Sequence, residues 1–111
     1  MKACFYFLLF VISFCNAQIP YPQNYFSSPL DITLVLSGTF AELRSNHFHS
    51  GLDIRTNNIE GLPVYAAADG MIVRIKVSPF GYGKALYIAH PNGYTTVYGH
   101  LQKFSDKIEA Y

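Results

Sequence analysis

Four histidines and one closely spaced carboxylate carry most of the chemistry this sequence can offer: His47, His49, Asp53, His90 and His100. The densest cluster is Asn46-His47-Phe48-His49-Ser50-Gly51-Leu52-Asp53. Imidazole and carboxylate are ligands that a borderline cation such as Zn²⁺ accepts where no thiolate is at hand. In an extended strand His49 and Asp53 would stand about 13 Å apart, too far to share one ion. A helix would bring them together, but Gly51 and the β-rich surroundings argue against one. A bend at Ser50-Gly51 solves the problem, because glycine accepts backbone angles that other residues avoid. The spacing alone leaves a second reading open, a surface pair in a polar loop. His47 faces away from Phe48 and reads as structural, or as a donor behind the ligands. His90 precedes Pro91 in a turn, where exposed polar residues are ordinary. His100 ends a β-rich run, between Gly99 and Leu101, and near a metal it would suit proton transfer.

No thiol competes for these roles. The two cysteines, Cys4 and Cys15, both lie in the N-terminal segment. There Lys2 precedes an apolar run from Ala3 to Ile12, and Cys15-Asn16-Ala17 places small residues where a signal peptidase reads them. The expectation is a secretory signal over 1–17, with the mature chain starting at Gln18. The alternative is an uncleaved anchor, but the run falls short of the roughly 20 apolar residues that a span needs. A lipoprotein centred on Cys15 is disfavoured by the bulky Phe14 before it. The mature chain then has neither disulfide nor thiolate ligand. Losing Lys2 takes the eight basic residues to seven, against seven acidic ones. That balance gives no basic patch for nucleic acid.

The elements that must hold these residues read as β. Residues 18–29 contain Pro20, Pro22 and Pro29, an extended lead-in outside the sheet interior. A domain follows from 30 to 111. Ile32 to Leu36 predicts a strand, ending or bulging at Ser37-Gly38-Thr39. Short strands are expected at Gly51–Ile54 and Pro63–Ala66. Gly70 to Val77 predicts a longer one, with Val73, Ile75 and Val77 on one face and Arg74 and Lys76 on the other. Lys84–Ala89 and Tyr94–Gly99 flank His90-Pro91-Asn92-Gly93, and Asn-Gly between β-rich runs signals a hairpin. Pro79 to Gly83 reads as a glycine-punctuated loop. One turn of helix fits within Leu101–Tyr111, with Ser105 as its cap. The fold class is mainly β and antiparallel. A chain this short buries only about two-thirds of its unfolded surface, so the fold leans on its core or on a metal.

The runs HFHSGLDIRT, GLPVYAAADGMIVRI and GYGKALYIAHPNGYTTVYGHL, taken in that order, resemble the lysostaphin-like (LytM-type) zinc metallopeptidases. That family includes peptidoglycan endopeptidases, and the likeness extends from about Ser37 to Phe104. The resemblance implies an antiparallel β-sheet with a groove over a zinc ion. It makes His49 and Asp53 the first two zinc ligands and His100, in Tyr-x-His-Leu, the catalytic histidine. It also implies peptidoglycan peptides as substrate, and an exported enzyme of the periplasm, the cell envelope or the medium. The family's later His-x-His pair, which supplies one more ligand and a second catalytic histidine, does not follow His100 here. A catalytic zinc ordinarily has three protein ligands. The expectation is therefore a peptidase domain incomplete at its C-terminus and weak or inactive by itself.

Other hydrolase chemistries find no support. The chain has no H-E-x-x-H helix and no G-x-S-x-G turn. A non-catalytic envelope module that binds wall peptide or regulates a partner hydrolase is the main alternative. Intact His49, Asp53 and His100 favour the enzyme. Gly61 to Gly70 also resembles half of a biotinyl-lipoyl carrier domain, but Asn92-Gly93 stands at the hairpin tip where such a domain needs a lysine.

Overall fold

The computed structural model describes residues 21–111. The expected signal segment, its cleavage point and Gln18 lie outside the described residues. Among the described residues, two antiparallel sheets organise the fold. The first pairs β1 (Leu36–Gly38) with β2 (Asp53–Ile54). The second has the order β3 (Met71–Val77), β4 (Lys84–Ala89), β5 (Thr95–Tyr98). A single helical turn, α1 (Asp106–Glu109), follows with Ser105 at its N-cap position. The mainly β, antiparallel expectation therefore holds. No helix among the described residues is long and apolar enough to cross a membrane.

The three-stranded sheet follows from its turns. His90 accepts a hydrogen bond from Gly93 N–H and donates its own N–H to the Tyr94 carbonyl, closing the turn between β4 and β5. Gly93 sits at φ 84°, the left-handed region that the Asn-Gly signal anticipates. Leu86 then faces Tyr98, and Ala89 faces Thr95. On the other side β3 pairs along all of β4, from Met71 opposite Ala89 to Val77 opposite Lys84. The central strand is the buried one: Ala85 is fully buried and Ile88 is 6% exposed. Leu30, Ala67 and Phe104 complete the apolar core.

Three sequence expectations need correction. The first strand lies at Leu36–Gly38 and not at Ile32–Leu36, because its partner β2 is only two residues long. Pairing reaches back no further than the Val35 carbonyl, which accepts Arg55 N–H. The bulge expected near Ser37 is present as a register shift between Leu36 and Gly38. Pro63–Ala66 is extended but forms no strand. It lies along the lead-in, with Tyr65 N–H donating to the Pro29 carbonyl and Ser27 N–H to that of Ala67. Pro29 has no N–H to return, and Ala67 N–H goes to the Tyr98 hydroxyl, so neither contact becomes a reciprocal pair.

The third correction concerns β3. A register irregularity between Ile72 and Arg74 takes Val73 out of the expected alternation, while Arg74 to Val77 pair in regular register with β4. Every residue of β3 is exposed, because it is an edge strand that covers little core. Arg74 stands over the Tyr87 ring, 5.2 Å from its centroid, and so covers part of the neighbouring strand.

Candidate metal centre

Asp53 opens β2, and β1 beside it is the platform of the site. Between them residues 41–49 fold back as a small hairpin. Leu43 bridges Phe48, Ala41 N–H donates to the His49 carbonyl, and His49 N–H donates to that of Glu42. These bonds fix the backbone of His49 before the chain turns. The bend then falls at Gly51, where the sequence required one. His49 Nε2 and Asp53 Oδ1 end 3.2 Å apart.

Five residues close a ring of polar contacts around that approach. His49 Nδ1 lies 3.0 Å from the Thr39 carbonyl. A carbonyl only accepts, so Nδ1 carries the proton, and in the neutral ring Nε2 presents its lone pair toward Asp53. Thr39 N–H donates to Glu42 Oε2 at 3.0 Å. The same Glu42 oxygen stands 3.6 Å from Arg44 Nη2. Arg44 Nη2 in turn donates to Asp53 Oδ2 at 2.7 Å. One carboxylate oxygen of Asp53 is thus held by the guanidinium, and the other is turned to the imidazole.

This donor set fits zinc. At ligand distances of about 2.0–2.1 Å, two ligands of a tetrahedral zinc stand roughly 3.3 Å from each other. The His49–Asp53 approach spans that edge, and both residues are only partly buried. Among the described residues no third His, Cys, Asp or Glu joins the pair in a metal-binding cluster.

His100 does not close the strand as expected. It lies beyond the end of β5, exposed in a bend at φ 56°. Its N–H donates to the Tyr82 carbonyl at 2.8 Å, and its ring meets the Tyr82 ring edge-on at 6.5 Å. The space beside Gly99 is filled by Tyr82, whose ring comes within 3.2 Å of where a Cβ would stand. The Tyr82 hydroxyl hydrogen-bonds Ser50 Oγ, between the two ligand candidates. Tyr82 therefore links the segment carrying His100 to the segment carrying His49 and Asp53.

The remaining histidines separate clearly. His47 is exposed, with Nδ1 2.6 Å from Asn46 Oδ1. His90 overturns its exposed reading: it is 5% exposed, with Nδ1 2.9 Å from the Asp69 carbonyl and Nε2 2.9 Å from Thr96 Oγ1. Phe26 packs edge-on against its ring at 5.2 Å. Sequence reasoning missed Thr39, Glu42, Arg44 and Tyr82. Only Glu42-Leu43-Arg44, opposite charges either side of an apolar residue, hinted at an ion pair beside the cluster.

Comparison with known proteins follows the same stretch of chain. The family described as Peptidase family M23 matches residues 47–110. A DD-carboxypeptidase/endopeptidase Mpg from Neisseria meningitidis serogroup B is 43% identical over 63 residues, 57% of this chain and 14% of that protein. The protein of the same name from Neisseria gonorrhoeae matches with the same identity and coverage. The chain thus spans about a seventh of the length of these curated relatives. No solved structure gives a significant match.

Proposed function

The chain belongs to peptidase family M23, and on that premise we propose that it forms part of a zinc metalloendopeptidase acting on the peptide cross-links of peptidoglycan. The observation that carries the proposal is the 3.2 Å approach of His49 Nε2 to Asp53 Oδ1, with each residue's other polar atom already engaged. His49 and Asp53 are the two zinc ligands that this chain supplies. The third belongs to a His-x-His element of the family kind, which does not follow His100 in this sequence; His47-Phe48-His49 has that pattern, but His49 is already a ligand. A zinc ion held by these residues would supply an acidified water and a Lewis acid for the scissile carbonyl.

The protein's own residues do the rest. The Thr39 carbonyl holds the proton of His49 on Nδ1, so Nε2 stays available as a ligand. His100, exposed and fixed through its backbone to Tyr82, gives or takes a proton at the water or the leaving amine. The Tyr82–Ser50 hydrogen bond sets the approach of the His100 segment to the ligand loop. The relatives' name, DD-carboxypeptidase/endopeptidase, supports a wall peptide as the substrate. Export fits that substrate, and residues 1–17 have the composition of a secretory signal. A second reading, a wall-peptide-binding module without catalysis, draws on the finding that only two donors meet among the described residues.

One set of variants separates these readings, made in a protein whose ligand set is complete. Zinc content and cleavage of purified peptidoglycan are measured for the wild type, His49→Ala, Asp53→Ala and His100→Ala. The first two variants are expected to lose both zinc and cleavage. His100→Ala keeps its zinc and loses about 10²–10⁴-fold in rate. Loss of zinc in His100→Ala would make it a ligand. A wild type that binds peptidoglycan, holds zinc and cleaves nothing would favour the non-catalytic module.

A further inference from the structure

Arg44 occupies an unusual position for a charged side chain. Its Nη2 lies between two carboxylates, 2.7 Å from Asp53 Oδ2 and 3.6 Å from Glu42 Oε2. Its Nε is buried with no hydrogen-bond partner, a cost that an exposed arginine would avoid. The backbone beneath makes room for this arrangement. Gly38 is buried, and a Cβ built there would collide with both Asp53 Oδ2 and Arg44 Nη2. The pair therefore lies flat on β1 at the one residue that has no side chain to displace it.

The consequence falls on Asp53. A free carboxylate rotates and can offer a metal one oxygen or both. Here Oδ2 is taken by the guanidinium, so Oδ1 alone remains, directed at His49 Nε2. We propose that Arg44, seated over Gly38 and steadied by Glu42, is a positioning residue that makes Asp53 a one-oxygen ligand. The inference rests on the reading of His49 and Asp53 as a zinc pair. One oxygen and one imidazole nitrogen suit zinc, whereas two carboxylate oxygens shift a site toward the harder, oxygen-loving cations. The fork of arginine matters here as well as its charge, because a lysine gives a point charge with no fixed direction.

The test is a zinc titration of the purified protein with its ligand set complete, followed by NMR at the His49 ring nitrogens and repeated with Mg²⁺. Four proteins are compared: wild type, Arg44→Ala, Arg44→Lys and Gly38→Ala. Amide signals of β3–β5 report folding in each, since those strands lie outside the ring of contacts. The expected result is a zinc affinity about 10–100-fold lower in Arg44→Ala, the usual loss when a partner behind a ligand is removed. Gly38→Ala should weaken binding in the same way, and Arg44→Lys should recover part of it. Mg²⁺ should respond less than zinc to every substitution. Zinc binding that is equal in wild type and Arg44→Ala, both folded, would overturn the role of Arg44 while leaving the zinc pair standing. A wild type whose His49 ring does not respond to zinc would overturn both. If Arg44→Ala unfolds, Arg44→Lys decides: full wild-type affinity there would show that charge suffices and that direction does not matter.

Discussion

At the scale of single residues, His49 and His90 show how position decides what an imidazole does. Both have one ring nitrogen against a backbone carbonyl, that of Thr39 for His49 and that of Asp69 for His90. His90 spends its second nitrogen on Thr96 Oγ1 inside the core, whereas His49 points its second nitrogen at a partly exposed carboxylate. The first is a structural residue and the second has the form of a ligand. His90→Ala should therefore leave zinc binding unchanged and lower stability by about 1–3 kcal/mol, the cost of stranding buried polar partners. Urea unfolding beside zinc content checks both halves of that statement. A fall in zinc content with unchanged stability would reverse the assignment. Sequence reasoning anticipated that His49 and Asp53 would meet, because a bend at Ser50-Gly51 brings them together once a helix is set aside. It misjudged His90 because the lead-in that buries its ring, through Phe26, is far away along the chain.

At the scale of elements, local signals predicted well wherever neighbours in sequence are neighbours in space. The β4–β5 hairpin formed around Asn92-Gly93, and the helical turn formed behind Ser105. The signals failed where pairing depends on a distant partner. Ile32–Val35 has the composition of a strand but meets only a two-residue partner. Pro63–Ala66 meets a lead-in whose proline cannot return a hydrogen bond. At β3 only Val73 was misplaced, because a bulge leaves no mark in hydropathy, and hydropathy does not reveal which strand of a sheet is central either. That difference is measurable. Ile88, buried on β4, should cost about 2–5 kcal/mol when changed to alanine. Ile75, 44% exposed on the β3 edge, should cost clearly less in the same substitution. Chemical denaturation of the two variants ranks them, and a larger loss at Ile75 would mean that β3 is covered in the protein in solution.

At the scale of the whole molecule, the parts converge on one place. The two sheets are joined near the site by the Tyr82–Ser50 hydrogen bond, and the candidate ligand pair stands beside β1, with Asp53 on β2. Family membership and fold follow from motifs that lie along most of the described chain. The ring behind the ligands was not legible in the sequence, because Thr39, Glu42 and Arg44 carry no motif and meet Asp53 only after the 41–49 hairpin has folded. The central claim is that His49 and Asp53 share one zinc ion. Anomalous diffraction from a zinc-soaked crystal tests it most directly. The account predicts one zinc peak about 2.0–2.2 Å from both His49 Nε2 and Asp53 Oδ1, with Asp53 Oδ2 still on Arg44. A zinc peak at His47, or a His49–Asp53 contact that stays metal-free in zinc-saturated crystals, would contradict it.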